Sequence, residues 1–220
     1  MRSFSLALPL LAMVALLSCF ARAQSAVYYD FDNAPSHTSL PQALTVDGVT
    51  AHFSSSPAWY NYSFQPANTL GFTPAGFAGQ CIYPNQVYAC DLLIAFDNTQ
   101  LTDLSVLYAP EEYATDSSCT MRVTAFLGGA QVATATHVNP NPGTWPSDTL
   151  AIHSASPFDN VVIHYDKAPI TGGDYGPIFM VDNLQVTTAV PEPAGMVAGF
   201  TAIGLLAALR RASRGSRSLS

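Results

Sequence analysis

Positively charged residues are almost absent from the middle of this chain. The 220-residue sequence contains eight Lys and Arg, but only Arg122 and Lys167 lie between Gln24 and Val190. The same stretch holds fourteen Asp and Glu, so its formal charge is 2 − 14 = −12. Binding to nucleic acid or to an anionic membrane needs clustered Lys and Arg, so this composition excludes both for the stretch. The acidic surface suits hard divalent cations, and it also keeps a protein soluble.

Long amphipathic helices are missing as well. Short runs rich in Val, Ile, Tyr, Phe and Thr alternate with clusters of Pro, Gly, Asn and Asp, and no apolar stripe follows a helical period. Gly128 and Gly129 accept positive φ and predict a hairpin. We therefore predict one all-β domain, a single antiparallel β-sandwich of jelly-roll type. The predicted strands are Val27–Phe31, Ala43–Ser54, Tyr60–Phe64, Leu92–Phe96, Leu104–Tyr108, Thr120–Leu127, Gln131–Val138, Thr149–His153, Asn160–Tyr165 and Ile178–Thr187.

Sequence motifs for catalysis are lacking too. No Ser lies in a G-x-S-x-G elbow, no Cys–His pair is indicated, and no Gly-rich loop precedes a helix. Glu111, Glu112 and Asp116 offer carboxylates for glycoside hydrolysis, but adjacent strand residues point to opposite faces, which favours a solvated loop. His153 and His164 lie on predicted strands that could be neighbours, an arrangement that is common without a metal. We assign no catalytic residue.

The chain has few cysteines. Of the four, Cys19 lies in the apolar N-terminal segment, which leaves Cys81, Cys90 and Cys119. A bridge between Cys81 and Cys90 would close a short ring and contribute about 2–3 kcal/mol, so we predict this disulfide. Cys119 could be buried, pair with one of the other two, or bridge to another molecule. Zinc is not indicated, because no His lies at ligand spacing from these residues.

Acidic residues near both ends of the predicted domain suggest a metal site. Asp30 and Asp32 lie at the end of the first strand, and Asp182 lies inside the last one. In many jelly-roll domains these two strands are neighbours, and carboxylates from both bind calcium, which prefers several oxygen ligands. We predict a structural calcium ion at these three residues. Since the spacing is not that of a calcium loop, the alternative is that they cap turns or face solvent.

Aromatic residues cluster in the segment from Pro57 to Phe64. Strand alternation places Tyr60, Tyr62 and Phe64 on one face, where they would fill the core. Trp59 then points the other way and is a candidate platform for stacking on a sugar ring. Trp145, in the Pro-rich segment that follows the strand Gln131–Val138, is the second candidate. Core packing or loop anchoring is the alternative for both tryptophans.

The N-terminus has the pattern of a secretory signal peptide. Arg2 provides the charged region, Leu6 to Phe20 the apolar region, and Ala21-Arg22-Ala23 an A-x-A cleavage site. Cleavage would leave Gln24 as the mature N-terminus. The segment Leu16 to Cys19 has the outline of a lipobox, in which Cys19 would be lipidated, but simple cleavage fits the sequence better.

The C-terminus contains a second targeting pattern. Val190-Pro191-Glu192-Pro193 is followed by the uncharged segment Ala194–Leu209 and by Arg210-Arg211. The prolines favour an exposed, extended peptide. The apolar segment is close to the length of a membrane-spanning helix, and the arginines would keep its end cytoplasmic. A buried helix of the fold is the alternative.

These features together resemble the PEP-CTERM family of exported proteins, whose members have a signal peptide, a variable domain and this three-part tail. The resemblance implies residues 1–23 as signal peptide, 24–188 as β-sandwich and 189–214 as sorting signal. It implies recognition by exosortase, a membrane enzyme that cuts near the Pro-Glu-Pro motif, with Glu192 and its flanking prolines as substrate. It also implies export across the inner membrane of a Gram-negative bacterium to the cell surface or the extracellular matrix.

Two functions of different class follow as predictions. The preferred one is a non-enzymatic surface or matrix protein that adheres to or binds exopolysaccharide. The alternative is a secreted hydrolase acting on polysaccharide or another polymer. Exosortase and a surface glycan are the predicted partners, and the membrane is a transient one through the C-terminal segment.

Overall fold

A computed structural model of the chain describes residues 25–59, 61–110, 119–139, 145–167 and 177–189, with only the backbone of Lys167. These residues form thirteen β-strands and no helix. The strands are β1 (Ala26–Tyr29), β2 (Thr38–Ser39), β3 (Gln42–Val46), β4 (Val49–Ser56), β5 (Tyr62–Pro66), β6 (Gln80–Pro84), β7 (Asp91–Phe96), β8 (Leu101–Pro110), β9 (Cys119–Leu127), β10 (Ala130–Asn139), β11 (Asp148–Phe158), β12 (Asn160–Lys167) and β13 (Phe179–Thr188).

The strands build two antiparallel sheets, which confirms the predicted all-β sandwich. The seven-stranded sheet has the order β11-β8-β13-β6-β5-β2, and β1 also pairs with β13. The six-stranded sheet has the order β10-β9-β12-β7-β4-β3. The first strand therefore lies beside the last one, as predicted from the sequence, with Tyr29 opposite Leu184.

Turn residues explain where the predicted strands were right and where they were wrong. The predicted Gly128-Gly129 hairpin joins β9 and β10, with Leu127 opposite Ala130 and both glycines at positive φ. The predicted strand Ala43–Ser54 is instead a hairpin, because Asp47 and Gly48 adopt positive φ and reverse the chain between β3 and β4. Strands β2 and β6 were not predicted.

The main hydrophobic core lies between the two sheets. Alternate residues of each strand point into it, among them the fully buried Phe53, Phe64 and Tyr108. Tyr62 and Phe64 are both buried here, as predicted, whereas Tyr60 lies outside the described residues. A smaller cluster, which we call the outer cluster, lies on the other face of the seven-stranded sheet. It contains Ala67, Phe77, Cys81, Ala109, Trp145, Ile178 and Met180.

The predicted targeting segments, 1–23 and 189–214, lie outside the described residues except for Ala189. The same holds for the sorting motif residues Val190, Pro191, Glu192, Pro193, Arg210 and Arg211. Within the part of the chain that the structure describes, there is no helix whose length and hydropathy would let it span a bilayer.

Candidate functional sites

The first candidate site lies where the last strand changes its neighbour. Along one side of β13, Val181 pairs with Ile82 of β6, and Leu184 pairs with Tyr29 of β1. The pairing of β13 with β8 shifts register between Asp182 and Gln185, which marks a bulge at the point of change. We call the region around Asp30, Asp32 and Asp182 the carboxylate junction.

Asp182 is the buried centre of this junction. Its side chain is almost fully buried, and its two carboxylate oxygens accept hydrogen bonds from the backbone N–H groups of Ala78 (3.0 Å) and Asn183 (2.7 Å). Asn183 adopts a left-handed conformation with φ 52°, and its side-chain amide donates to the carbonyl oxygen of Gly76 (3.1 Å). Its amide oxygen accepts from the Tyr28 hydroxyl. The bulge thereby ties the last strand to β1 and to the β5–β6 connection.

Asp32 joins the same connection from the side of β1. Its Oδ1 atom accepts from the backbone N–H of Gln80 at 2.9 Å. A Cβ atom on Gly79 would lie 1.7 Å from that oxygen, and Gly79 also has φ +52°, so only glycine fits here. The Gln80 side-chain amide donates to the carbonyl oxygens of Asp32 and Ala34, while its Oε1 atom is buried and accepts no hydrogen bond. Gly79 and Gln80 were not predicted from the sequence as functional residues.

Negative charge accumulates at the junction. Burial, together with the charges of Asp32 and Asp30, raises the pKa of Asp182 to about 7 despite its two backbone donors. Burial and then the same three carboxylates raise the pKa of Tyr28. Burial, followed by the charge of Asp182, raises the pKa of the Cys81 thiol. The three predicted carboxylates are therefore close enough to act on one another.

The predicted calcium site is not formed as a ligand set. Among the described residues, no group of three or more His, Cys, Asp or Glu side chains is placed so that it could hold a metal ion. Both carboxylate oxygens of Asp182 and one of Asp32 already accept backbone hydrogen bonds. Two of these bonds hold the β5–β6 connection, so the oxygens are engaged with the backbone. Calcium at Asp30, Asp32 and Asp182 therefore stays a prediction.

The second candidate site consists of two exposed aromatic residues on adjoining loops. Trp59, in the β4–β5 loop, has 72% of its surface exposed, and Tyr88, in the β6–β7 loop, has 56% exposed. Exposed aromatic side chains on adjoining loops can form an interaction surface, because their rings gain by being removed from water. We call these two residues the aromatic loop pair.

Hydrogen bonds hold the two loops together. The Gln86 side-chain amide donates to the carbonyl oxygen of Trp59 (2.7 Å). Asn85 bonds to Asn61 twice, through its backbone N–H (2.9 Å) and its side-chain amide (2.7 Å). The Tyr62 hydroxyl donates to the carbonyl oxygen of Cys90 (2.7 Å). The rings are thus presented on a braced surface that also carries amide groups able to bind sugar hydroxyls.

Trp145 does not form an exposed platform, so this part of the sugar-binding prediction is wrong. Its side chain is only 5% exposed and packs in the outer cluster with residues such as Phe77 and Met180. The backbone at Trp145 has φ 58°, in the left-handed region. Trp145 therefore follows the alternative given for it, in which its ring packs against the protein and anchors its segment.

The predicted Cys81–Cys90 disulfide is also wrong, since Cys81 is a free, buried thiol. The alternation of β6 explains why. Ile82 points into the main core, so its neighbour Cys81 points to the outer cluster on the opposite face of the sheet. Cys90 packs against the main core. Cys119 is buried in that core, which was one of the alternatives left open for it.

Four of the five histidines pair with aspartates. Strand β11 belongs to the seven-stranded sheet and β12 to the six-stranded sheet, so His153 and His164 do not approach each other. His153 Nδ1 lies 2.6 Å from Asp103, and His164 Nδ1 lies 2.5 Å from Asp91. Two further pairs are His52 with Asp97 (2.7 Å) and His137 with Asp148 (3.7 Å).

The carboxylates proposed for hydrolysis, Glu111, Glu112 and Asp116, lie outside the described residues. The hydrolase alternative therefore stays a prediction.

Comparisons with known proteins give likenesses of fold. No protein-family model and no curated protein matches the chain. Among solved structures, the Agl-KA catalytic domain has a TM-score of 0.39 and 16% identity, over 79% of this chain and 30% of that one. A mutant of CBM29-2, a family 29 carbohydrate-binding module, has a TM-score of 0.35 and 8% identity, over 75% and 85%. The C-terminal CBM6 of LamC, a laminarinase from Zobellia galactanivorans, has a TM-score of 0.34 and 9% identity, over 74% and 99%. The chain thus spans less than a third of the first of these structures.

Proposed function

We propose that this protein is an exported, non-enzymatic glycan-binding protein of the bacterial cell surface or extracellular matrix. The observation that carries the proposal is the exposure of Trp59 and Tyr88 on two loops that hydrogen bonds join. An indole and a phenol ring can stack on the apolar face of a pyranose. The Asn61 Nδ2 and Gln86 Oε1 atoms, which the hydrogen bonds between the loops do not use, can bind its hydroxyl groups.

The charge of the domain supports a neutral ligand. The described part of the chain contains one cationic side chain, that of Arg122, and it is paired with Asp166 at 2.8 Å on the six-stranded sheet. An anionic polymer would be repelled by the acidic surface, whereas a neutral polysaccharide would not. The jelly-roll type predicted from the sequence is consistent with a first strand that lies beside the last one.

Affinity electrophoresis in gels that contain exopolysaccharide from the producing bacterium tests the proposal. Trp59→Ala and Tyr88→Ala should each reduce retardation, with affinity about tenfold or more weaker, because aromatic residues dominate binding energies. Phe72→Ala is the matched control, since Phe72 is also exposed (44%) but lies on the β5–β6 connection. Equal retardation of all four proteins would reject the aromatic loop pair as the binding site.

Export and processing form the second part of the proposal. We propose cleavage after Ala23 and exosortase cutting near Glu192, in line with the family resemblance of both chain ends. The membrane is then a partner only until the C-terminal segment is removed. Intact masses of the protein from cells and from culture medium would locate both cuts. A full-length chain in the cytosol would contradict this part without affecting the glycan-binding part.

A further inference from the structure

A trough crosses the outer face of the seven-stranded sheet, on a surface separate from the aromatic loop pair. It has a volume of about 510 Å³ and is open to solvent. The side chains that face it come from three strands. They are Asp103 and Ser105 of β8, Ala151 and His153 of β11, and Gln185 and Thr187 of β13.

Strand register arranges these residues in two rows. In the first row, Ala151 lies opposite Ser105, Ser105 opposite Gln185, and Gln185 opposite Tyr28 of β1. The small side chains of Ala151 and Ser105 form the floor with Gln185, and the half-exposed Tyr28 lies next to Gln185 on β1, outside the trough lining. Since neighbouring strands lie about 4.8 Å apart, the part of the row that lines the trough crosses three strands and is roughly 10 Å long. This length suits a short oligosaccharide.

The second row carries the charged groups. His153 lies opposite Asp103, and Asp103 opposite Thr187. One Asp103 oxygen lies 2.6 Å from His153 Nδ1, and the other accepts from the Thr102 hydroxyl at 2.7 Å. The hydrogen bond from Thr102, and then the contact with His153, lower the pKa of Asp103, so its carboxylate is an acceptor at neutral pH. His153 itself is exposed to solvent, with 74% of its side-chain surface accessible.

This chemistry selects among classes of ligand. Neither Lys nor Arg lines the trough, and it contains a carboxylate, which disfavours phosphates and acidic sugars. Leu104 and Ile152 point into the core, so the trough offers no deep apolar pocket for a peptide anchor. The hydroxyl, amide, carboxylate and imidazole groups that line the trough are suited to a polyhydroxylated ligand.

The trough and the aromatic loop pair lie at opposite ends of the seven-stranded sheet. Ile82 of β6 lies opposite Val181 of the antiparallel strand β13. Pro84, two residues further along β6, is therefore level with Phe179, and the β6–β7 loop begins after it. The trough lies around Gln185, six residues further along β13. At about 3.3 Å per residue, the two surfaces are separated by at least roughly 20 Å along the strands.

We propose that the trough is a second glycan-binding site, which takes a stretch of neutral oligosaccharide, and that the protein therefore holds two glycan segments at once. This inference rests on the proposed function for the first site, and it adds the ability to cross-link polysaccharide chains in a matrix.

Amide and imidazole NMR spectra of the purified protein, titrated with cellohexaose, xylohexaose and mannohexaose, test the proposal. At least one of these probes should shift the signals of Ser105, Gln185 and His153. Ala151→Leu fills the floor, and Gln185→Ala removes an amide without adding bulk. Each variant should weaken the affinity measured from these shifts at least about tenfold. The indole signal of Trp59 should respond to the probe as before. Ala95→Leu, on the exposed face of the six-stranded sheet, is the control for an added leucine.

The outcomes separate the two sites. Shifts confined to Trp59 and Tyr88 would overturn the trough and leave the proposed function standing. Trough shifts that survive both variants, or no trough shift with any neutral probe, would also overturn it. Stronger trough shifts with hexagalacturonate than with the neutral hexasaccharides would overturn the assignment of ligand class.

Discussion

Asp182 makes the stability of the domain depend on pH in a predictable direction. The pKa of its carboxyl group is about 7 in the folded protein, compared with an ordinary value of 3.8, mainly because it is buried. Between these two values the folded state keeps a proton that the unfolded state has lost. The stabilisation from this proton is complete below about pH 4 and is lost as the pH rises through 7.

The magnitude follows from the width of this window. Each pKa unit corresponds to about 1.4 kcal/mol, so the difference of about three units lowers the free energy of unfolding by at most about 4 kcal/mol. For a domain of this size, that loss corresponds to roughly 10 °C in melting temperature. Asp103 acts in the opposite direction, because its lowered pKa removes stability at acid pH. A comparison with a variant is therefore needed.

Asp182→Asn provides that comparison, because an amide carries no charge at any pH. The variant loses one acceptor for the N–H groups of Ala78 and Asn183, which costs about 1–3 kcal/mol at low pH. Near pH 4 it should therefore be less stable than the wild type, and near pH 8 the order should reverse. Urea unfolding at several pH values measures the difference, with Asp47→Asn in the exposed β3–β4 turn as the control. A difference that stays constant from pH 4 to 8 would refute the argument.

Three further predictions use the same measurements of stability and binding. If calcium binds at Asp30, Asp32 and Asp182, it should raise the melting temperature of the wild type at pH 8 but not that of Asp182→Asn. Equal melting temperatures of the wild type in calcium and in EDTA would dismiss the site. Gly79→Ala should lower the free energy of unfolding by about 1–3 kcal/mol more than Gly48→Ala, because only the Gly79 variant places a Cβ atom against a carboxylate. Both positions have positive φ, so the cost of the backbone conformation is common to the two variants. Equal losses of stability would argue against the close contact with Asp32. Trp145→Ala should cost about 3–5 kcal/mol of stability because the ring is buried, whereas Trp59→Ala should leave the melting temperature nearly unchanged. Similar melting temperatures for these two variants would contradict their assigned locations.

The sequence predicted the features that depend on local patterns. Alternation placed Tyr62 and Phe64 in the core, and two consecutive glycines located the hairpin between β9 and β10. The pairing of the first strand with the last was expected because it is common in jelly-roll domains. These signals lie within a few residues of each other or follow a common arrangement of sandwich strands.

Other features depend on contacts between distant segments. Strand β6 ends at Pro84 and is only five residues long, so its sequence resembles a loop, yet pairing with β5 and β13 makes it central. Once β6 is a strand, its alternation sends Cys81 away from Cys90. Tyr88 could not be predicted as part of a site from the sequence, because hydrogen bonds between distant segments join its loop to that of Trp59. The pKa of Asp182 likewise depends on a loop more than a hundred residues earlier in the chain.

The two tryptophans of this chain allow a direct test of glycan binding. In a Trp145→Phe variant, all tryptophan fluorescence comes from Trp59, whose ring is exposed in the free protein. Exopolysaccharide from the producing bacterium should shift this emission to shorter wavelength and protect it from quenching by iodide. Unchanged emission and quenching at saturating polysaccharide would contradict the claim that the aromatic loop pair binds glycan.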